Sequence, residues 1–317
     1  MKTIIQLVDT VDYVRTNCFQ HQLAISLGNV CNLVQVELRS ILSGQQRPHA
    51  DGIISCLKQR TLDRHVSTVG AWLKDKPIVI YDQDPWQAFM DDSPYKGAYE
   101  RFFRTLNVQT FALTTKWWVD YLRSPEHLFP ATFVKMWVLP DYCKQQVPYL
   151  DRKAVAGFVG TVHPRRQKLL DVIDNAGIQT SVLRSHSLGY QSFLNELGKL
   201  RCFVHNEDMP IYVDGQELNF NTGMWVKDIE AASQGCFSIR NIGQGSDTYF
   251  EGLPTVDGVG LIRLCERIED VPRMLMEIEA MDENVRQSLI DRTIEYIKTA
   301  NKWHETANTL IEATEQL

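Results

Sequence analysis

The segment Ala156-Gly157-Phe158-Val159-Gly160-Thr161-Val162-His163-Pro164-Arg165-Arg166 collects the groups that hold a phosphate. A buried strand would run into Gly160, where the backbone can be approached closely. Thr161 then offers a hydroxyl, and Pro164 opens a helix whose first turn carries two arginines. Orphan N–H groups and the positive end of the helix dipole favour an anion there, and a guanidinium grips phosphate oxygens through two N–H groups at once. His163 adds a further donor. The spacing matches neither a GxGxxG fingerprint nor a P-loop, so neither a dinucleotide fold nor an ATPase follows from it.

A second constellation is Leu218-Asn219-Phe220-Asn221-Thr222-Gly223-Met224-Trp225-Val226-Lys227-Asp228-Ile229-Glu230-Ala231-Ala232-Ser233-Gln234-Gly235. Asn221 or Thr222 can cap a helix, and Lys227 and Glu230, three apart, then share one face. The ammonium suits a phosphate and the carboxylate suits the paired hydroxyls of a ribose. A surface ion pair is the plainer reading of the same two residues.

The run Tyr81-Asp82-Gln83-Asp84-Pro85-Trp86 places two acids and an aromatic ring directly after a strand. Asp82 or Asp84 can accept hydrogen bonds from an incoming hydroxyl or act as a base, and Trp86 can stack on a sugar. Equally, the acids can cap a turn while Trp86 fills core. His21 titrates near working pH and follows the first strand closely, which makes it either a general base or a helix-surface residue. Seven cysteines stand at 18, 31, 56, 143, 202, 236 and 265, with no CxxC pair, and read as reduced core thiols of a cytoplasmic protein. No metal site is expected.

These residues need a scaffold that presents strand ends. The first half alternates strand and helix patterns: strands at 3–8, 33–38, 52–57, 77–82, 109–114 and 132–139, with helices at 19–27, 62–73 and 116–122. The pattern lapses between Pro140 and Arg152. A second series follows, with strands at 155–159, 179–183, 201–205 and 235–240, helices at 165–176, 190–200 and 225–233, and a helical end at 271–281 and 283–317, the latter too long for one ordinary helix. Such alternation predicts parallel sheets covered by helices, with ligands beyond the carboxyl ends of the strands. The expected division is an N-terminal domain over 1–150, a C-terminal domain over 151–295 and a closing helix over 296–317.

A chain of 317 residues has material for two cores. Composition is that of a globular protein, 44% apolar and 23% charged. No window is apolar enough for a membrane span, although peripheral membrane contact stays open. The net charge of −6 and the lack of a basic run argue against a nucleic-acid partner.

Phe158-Val159-Gly160-Thr161 with Arg165-Arg166, then Lys227-Asp228-Ile229-Glu230-Ala231-Ala232-Ser233-Gln234-Gly235, and the end near Trp303-His304 together resemble the GT-B glycosyltransferases, especially the CgeB-like group. Lys227 stands where that group carries an arginine. The resemblance implies an α/β fold of two Rossmann-like domains facing a cleft, with a C-terminal helix crossing back to the N-domain. It implies a metal-independent hexosyltransferase of polysaccharide or small-molecule biosynthesis, with no cofactor and a UDP- or GDP-sugar as co-substrate. The donor would be held by Gly160, Thr161, His163, Arg165, Asn221, Thr222, Lys227 and Glu230. The glycan or small-molecule acceptor would meet Trp86, with Asp84, Asp82 and His21 as catalytic candidates. Many retaining members carry a second glutamate eight positions before the one matched by Glu230; here that position is Thr222. Rival readings on the same architecture are a non-catalytic nucleotide- or glycan-binding protein and a sugar-nucleotide epimerase.

Overall fold

The structure, a computed structural model, describes residues 1–12, 18–74, 76–183, 189–221, 226–242 and 249–315. The chain divides into two compact units: Met1–Met136 with Pro210–Leu218 and Lys302–Leu317, and Trp137–Met209 with Asn219–Asn301.

Among the described residues the first unit holds a parallel sheet of six strands in the order β2-β1-β3-β4-β5-β6. These are β1 (Thr3–Val8), β2 (Asn32–Glu37), β3 (Gly52–Ser55), β4 (Ile78–Asp82), β5 (Val108–Leu113) and β6 (Ala131–Phe133). β4 is buried along its whole length, as expected of a strand covered by helices on both faces, and this is why it reads as an unbroken apolar run. The helix α1 (Cys18–Val30) follows β1, with the ring of Phe19 5.7 Å from that of Tyr81, so α1 begins beside the carboxyl end of β4. The expected strand over 132–139 is shorter than its apolar run: the strand is Ala131–Phe133, the Val134 N–H adds one last bond to Leu113 O at 2.9 Å, and Met136 is buried beyond it. Pro140, just beyond, cannot donate to a sheet.

The second unit is built on a parallel sheet in the order β15-β12-β9-β7-β8. Its strands are β7 (Ala154–Val159), β8 (Thr180–Leu183), β9 (Leu200–His205), β12 (Phe237–Asn241) and the edge strand β15 (Ile262–Cys265), which the sequence pattern did not mark. Helices α2 (Pro164–Asn175), α3 (Tyr190–Leu197) and α4 (Val226–Ser233) connect them. Arg152 is buried here and donates to the carbonyls of Leu200 at 2.9 Å, Gln234 at 2.9 Å and Gly235 at 2.8 Å. One guanidinium thereby satisfies two carbonyls of the turn that follows α4 and ties them to the start of β9.

A hairpin, β10 (Asp208–Val213) with β11 (Gln216–Asn221), corrects one local expectation. Asp214 and Gly215 both have positive φ, 50° and 76°, the requirement of a type I′ turn and the preference of an Asp-Gly pair. Asn221 therefore ends a strand instead of capping a helix, and Thr222 lies outside the described residues. The hairpin's turn belongs to the first unit, where the Asp91 carboxylate accepts from Asp214 N at 3.0 Å and Gly215 N at 2.8 Å.

The helical end breaks at Asn301, whose φ of 36° is left-handed, into α5 (Glu283–Ala300) and α6 (Lys302–Ala313). α6 buries Trp303, Ala307, Leu310 and Ile311, a one-sided stripe at helical spacing, and packs in the first unit against α1. Thr314 then seats against Gly52 so closely that an added Cβ would lie 2.3 Å from its Oγ1 and 2.5 Å from its Cβ. Gly52→Ala is expected to lower stability by about 1–3 kcal/mol, with partial recovery in Gly52→Ala/Thr314→Gly. An unchanged urea midpoint for the single variant would show that this last turn is not seated on β3.

Candidate functional site

Parallel strands place their carboxyl ends together, and in the second unit the ends of β7, β9 and β12 collect charged residues. β7 delivers Phe158 and Val159 to Gly160, whose φ of 145° suits glycine, and whose N–H donates to Leu183 O at 2.9 Å. A Cβ at Gly160 would come 3.1 Å from the Phe158 ring and 3.6 Å from Lys227 Nζ, so only glycine leaves this corner open. α2 starts with Pro164 at its first position, and no side chain caps its first N–H groups. His163, before it, is exposed; desolvation and the adjacent Arg166 and Arg165 lower its pKa.

The two arginines of α2 have different surroundings. Arg166 is buried, donates from Nε to Glu207 Oε1 at 2.8 Å and again from Nη2, and reaches Thr161 O from Nη1 at 2.5 Å. Its guanidinium lies 4.7 Å from the centre of the Phe158 ring. Arg165 keeps 25% of its side chain exposed and donates from Nη2 to the other Glu207 oxygen at 3.0 Å. Glu207 is only 1% exposed. Burial alone would raise its pKa, but His205, with Nε2 2.5 Å from Oε1, and Arg166 hold it well below the carboxylate range.

α4 is buried along nearly its whole length. Lys227 is partly exposed, with Nζ 5.7 Å from the centre of the Phe158 ring, so that ring carries a cation from each of two helices. Glu230 is 1% exposed. Between them, Asp228 accepts from Ser238 Oγ and Arg240 Nη1, each at 2.5 Å, and its Oδ2 lies 3.9 Å from His205 Nδ1. Burial would raise the Asp228 pKa, yet Arg240 and the other partners lower it. Arg166 and Arg240 are thus engaged by buried carboxylates, while Arg165 and Lys227 keep partly exposed heads. The sequence reading passed over His205, Glu207, Asp228 and Arg240. A strand ending in His205-Asn206-Glu207 was the available signal, since useful side chains follow strands in such sheets.

In the first unit, Asp82 ends β4 at 8% exposure. Its carboxylate accepts from Tyr99 Oη at 2.9 Å and from Asp84 N at 3.0 Å, and Tyr99 is held by stacking on Phe111 with ring centres 4.1 Å apart. Burial raises the Asp82 pKa, partly offset by these bonds. Asp84 is partly exposed and precedes a short 3-10 turn, Pro85–Ala88, with Trp86 Nε1 donating to Asp84 Oδ1 at 3.3 Å. Of the two acids Asp84 is the more accessible, and Trp86 stands beside it. His21 is half-buried on α1, and burial lowers its pKa. Asp82, Asp84, Trp86 and the first turns of α1 therefore share the carboxyl edge of the first sheet.

No family model and no curated protein matches the sequence. Solved structures do. The chain is similar to the Anabaena HepE protein in complex with UDP-glucose, at 10% identity over 98% of this chain and 100% of that one, with a TM-score of 0.62. It is similar to the trehalose-6-phosphate synthase OtsA at 9% identity over 99% of each chain, with a TM-score of 0.61. Against a chain of the GtfA/B complex it has 10% identity and a TM-score of 0.55 over 88% of its own length, spanning only 60% of the other chain. At such identities the likeness is one of fold. The chain has the two-unit α/β architecture of the GT-B glycosyltransferases, the fold that the sequence resemblance implied.

The two buried aspartates predict opposite responses. Asp228 has a folded pKa below its ordinary 3.8, so its contribution is complete above that value and fades as pH falls further. Asp228→Asn leaves Arg240 buried beside a neutral amide and is expected to cost about 3–5 kcal/mol at pH 7. Asp82, with a raised pKa, stabilises fully only below its unfolded value and loses that contribution as pH rises through the folded one. The urea midpoint of wild type should therefore fall relative to that of Asp82→Asn as pH rises, and a difference that does not change with pH would contradict the assignment.

Proposed function

We propose that this chain is a glycosyltransferase that moves a sugar from a nucleotide-diphosphate sugar to an acceptor hydroxyl. The observation that carries the reading is the grouping, at the carboxyl end of the second unit's sheet, of the Gly160–Thr161 turn, the partly exposed cations Arg165 and Lys227, and the carboxylate Glu230. The positive end of the α2 dipole beside the Gly160–Thr161 turn favours a diphosphate. Arg165 and Lys227 neutralise it, with His163 as a further donor. Glu230 accepts the ribose hydroxyls, and because its side chain is buried, binding displaces what covers it. The neighbour HepE was solved with UDP-glucose, which supports a uridine or similar nucleotide here.

Chemically, the acceptor oxygen forms a bond to the anomeric carbon while the bond from that carbon to the diphosphate oxygen breaks. The leaving diphosphate gains negative charge, which Arg165, Lys227 and the start of α2 stabilise more strongly in the transition state than in the bound donor. This makes a resident metal unnecessary in the proposal. Asp84 receives the acceptor proton and Trp86 offers a ring face to the acceptor sugar; Asp82 is better suited to holding Tyr99 and the turn to Asp84. A cytoplasmic enzyme of glycan assembly fits this chemistry. A binding protein without turnover is the second reading, motivated by Thr222 at the position of the second glutamate of many retaining enzymes.

Incubation with UDP-, GDP- and ADP-sugars separates the two: donor-dependent release of free nucleotide supports the transferase, and tight binding without release supports the binding protein. Glu230→Ala is expected to weaken the preferred nucleotide-sugar about 10- to 100-fold, the size of a hydrogen bond to a buried charge. Unaltered affinity would remove Glu230 from the donor site. Asp84→Asn should abolish transfer while leaving donor affinity within about twofold of wild type, a change too small to be one lost hydrogen bond.

A further inference from the structure

Glu207 lies just past β9, is almost wholly buried, and touches every other charged element at the mouth of the second sheet except α4. Its two oxygens divide the work. Oε1 takes Arg166 through two N–H groups and lies 2.5 Å from His205 Nε2, while Oε2 takes Arg165 Nη2 at 3.0 Å. The carboxylate is itself fixed from behind. Its backbone N–H donates to Asn241 Oδ1 at 2.9 Å, and Asn206 Nδ2 holds the Arg165 carbonyl at 3.0 Å. The consequence falls on Arg165. One end of its guanidinium is anchored, and its buried Nε has no hydrogen-bond partner among the described residues. An arginine on a solvent-facing helix start ordinarily loses rotamer freedom when it grips a ligand, at about 1–2 kcal/mol. Here the bond to Glu207 already restricts that freedom.

We propose that Glu207 is a positioning residue for the donor diphosphate, holding Arg165 in its gripping orientation beside the Gly160–Thr161 corner while keeping Arg166 out of the ligand's reach. The inference rests on the donor site proposed above. It competes with a simple electrostatic expectation, that a carboxylate close to bound phosphates repels them, so that removing it tightens binding. The geometry favours positioning, because the charge of Glu207 is already met by Arg165 and Arg166. Preorganisation is what its removal would lose.

The test is a double-mutant cycle on the full chain, with UDP and GDP as probes in calorimetric titrations and the tighter of the two followed through the cycle. Glu207→Gln keeps the shape but not the charge, and should raise the Kd of that nucleotide about tenfold, the size of one charge-assisted hydrogen bond. In an Arg165→Ala background the same change should alter Kd by less than about twofold, because the group it acts through is gone. Glu207→Asp, which keeps the charge but is too short to span both arginines, should behave like Glu207→Gln and stands in for it if the amide variant fails to fold. Three results overturn the inference: tighter binding in Glu207→Gln, equal weakening in both backgrounds, or a lowered Tm with unchanged Kd. If the wild-type chain binds neither nucleotide, the donor site itself is refuted and the inference falls with it. If the wild type binds and the cycle is additive, only the role of Glu207 is lost.

Discussion

Full burial of ionised carboxylates at the carboxyl end of a parallel sheet is the constraint from which the second unit's organisation follows. An isolated charge there would be expelled or neutralised. Asp228 and Glu207 stay ionised because Arg240 and Arg166 lie against them and Ser238 and His205 take up part of what remains. The arginines must then arrive from particular places. Arg240 comes from the last residues of β12 and Arg166 from the first turn of α2, so the mouth of the sheet is correct only when three strands and two helices are in register. Phe158 is the common floor, stacked 5.6 Å from Phe203 and approached by Arg166 and Lys227. Such a network contributes little net stability over a well-packed apolar substitute, but it specifies a single arrangement.

That demand also separates the cations by duty. Arg166 and Arg240 are spent on neutralising the interior, Lys227 stands at the rim and Arg165 joins the two, with opposite tolerances to change at the extremes. Replacing a rim cation alters what the site attracts. Replacing an interior one leaves a carboxylate unpaired and endangers the unit itself. The acids of the first unit divide in the same way: Asp82 carries the burden of burial and positions the turn, while the exposed neighbour Asp84 is available for chemistry.

Much of the fold was legible in the amino-acid order, for a physical reason. Strands buried on both faces, such as Thr3–Val8 and Ile78–Asp82, must be continuous apolar runs, and the helices between them must be amphipathic. The strand Ile262–Cys265 lacks those marks, since it lies at an edge and carries Arg263, whereas the helix Ala98–Thr105 carries them, burying Ala98, Tyr99 and Phe102 on one side, and was missed over its short span. The hairpin after Glu207 did advertise itself through Asp214-Gly215, but its neighbourhood was read as a helix approach. In the site, Gly160 and the residues around it were visible because glycine after a strand has few other uses. The network behind them was not. Arg166 and Glu207 are 41 residues apart and Arg240 and Asp228 are 12 apart, so sequence shows only ordinary charged residues. The strand order β15-β12-β9-β7-β8 is what converts them into pairs.

The first unit is assembled from three separated stretches of chain, and its closing helix Lys302–Ala313 lies against the helix Cys18–Val30. During synthesis, the stretch Met1–Met136 therefore waits for Lys302–Leu317 before its unit is whole. The second unit has its sheet by Cys265 and its long helix by Ala300, whereas the flank of α1 stays uncovered until Lys302–Ala313 emerges. Contacts that span almost the whole length of a chain form slowly, and an apolar flank left open for that interval is where a nascent chain aggregates or engages a chaperone. The order of maturation in this protein thus runs opposite to the order of translation.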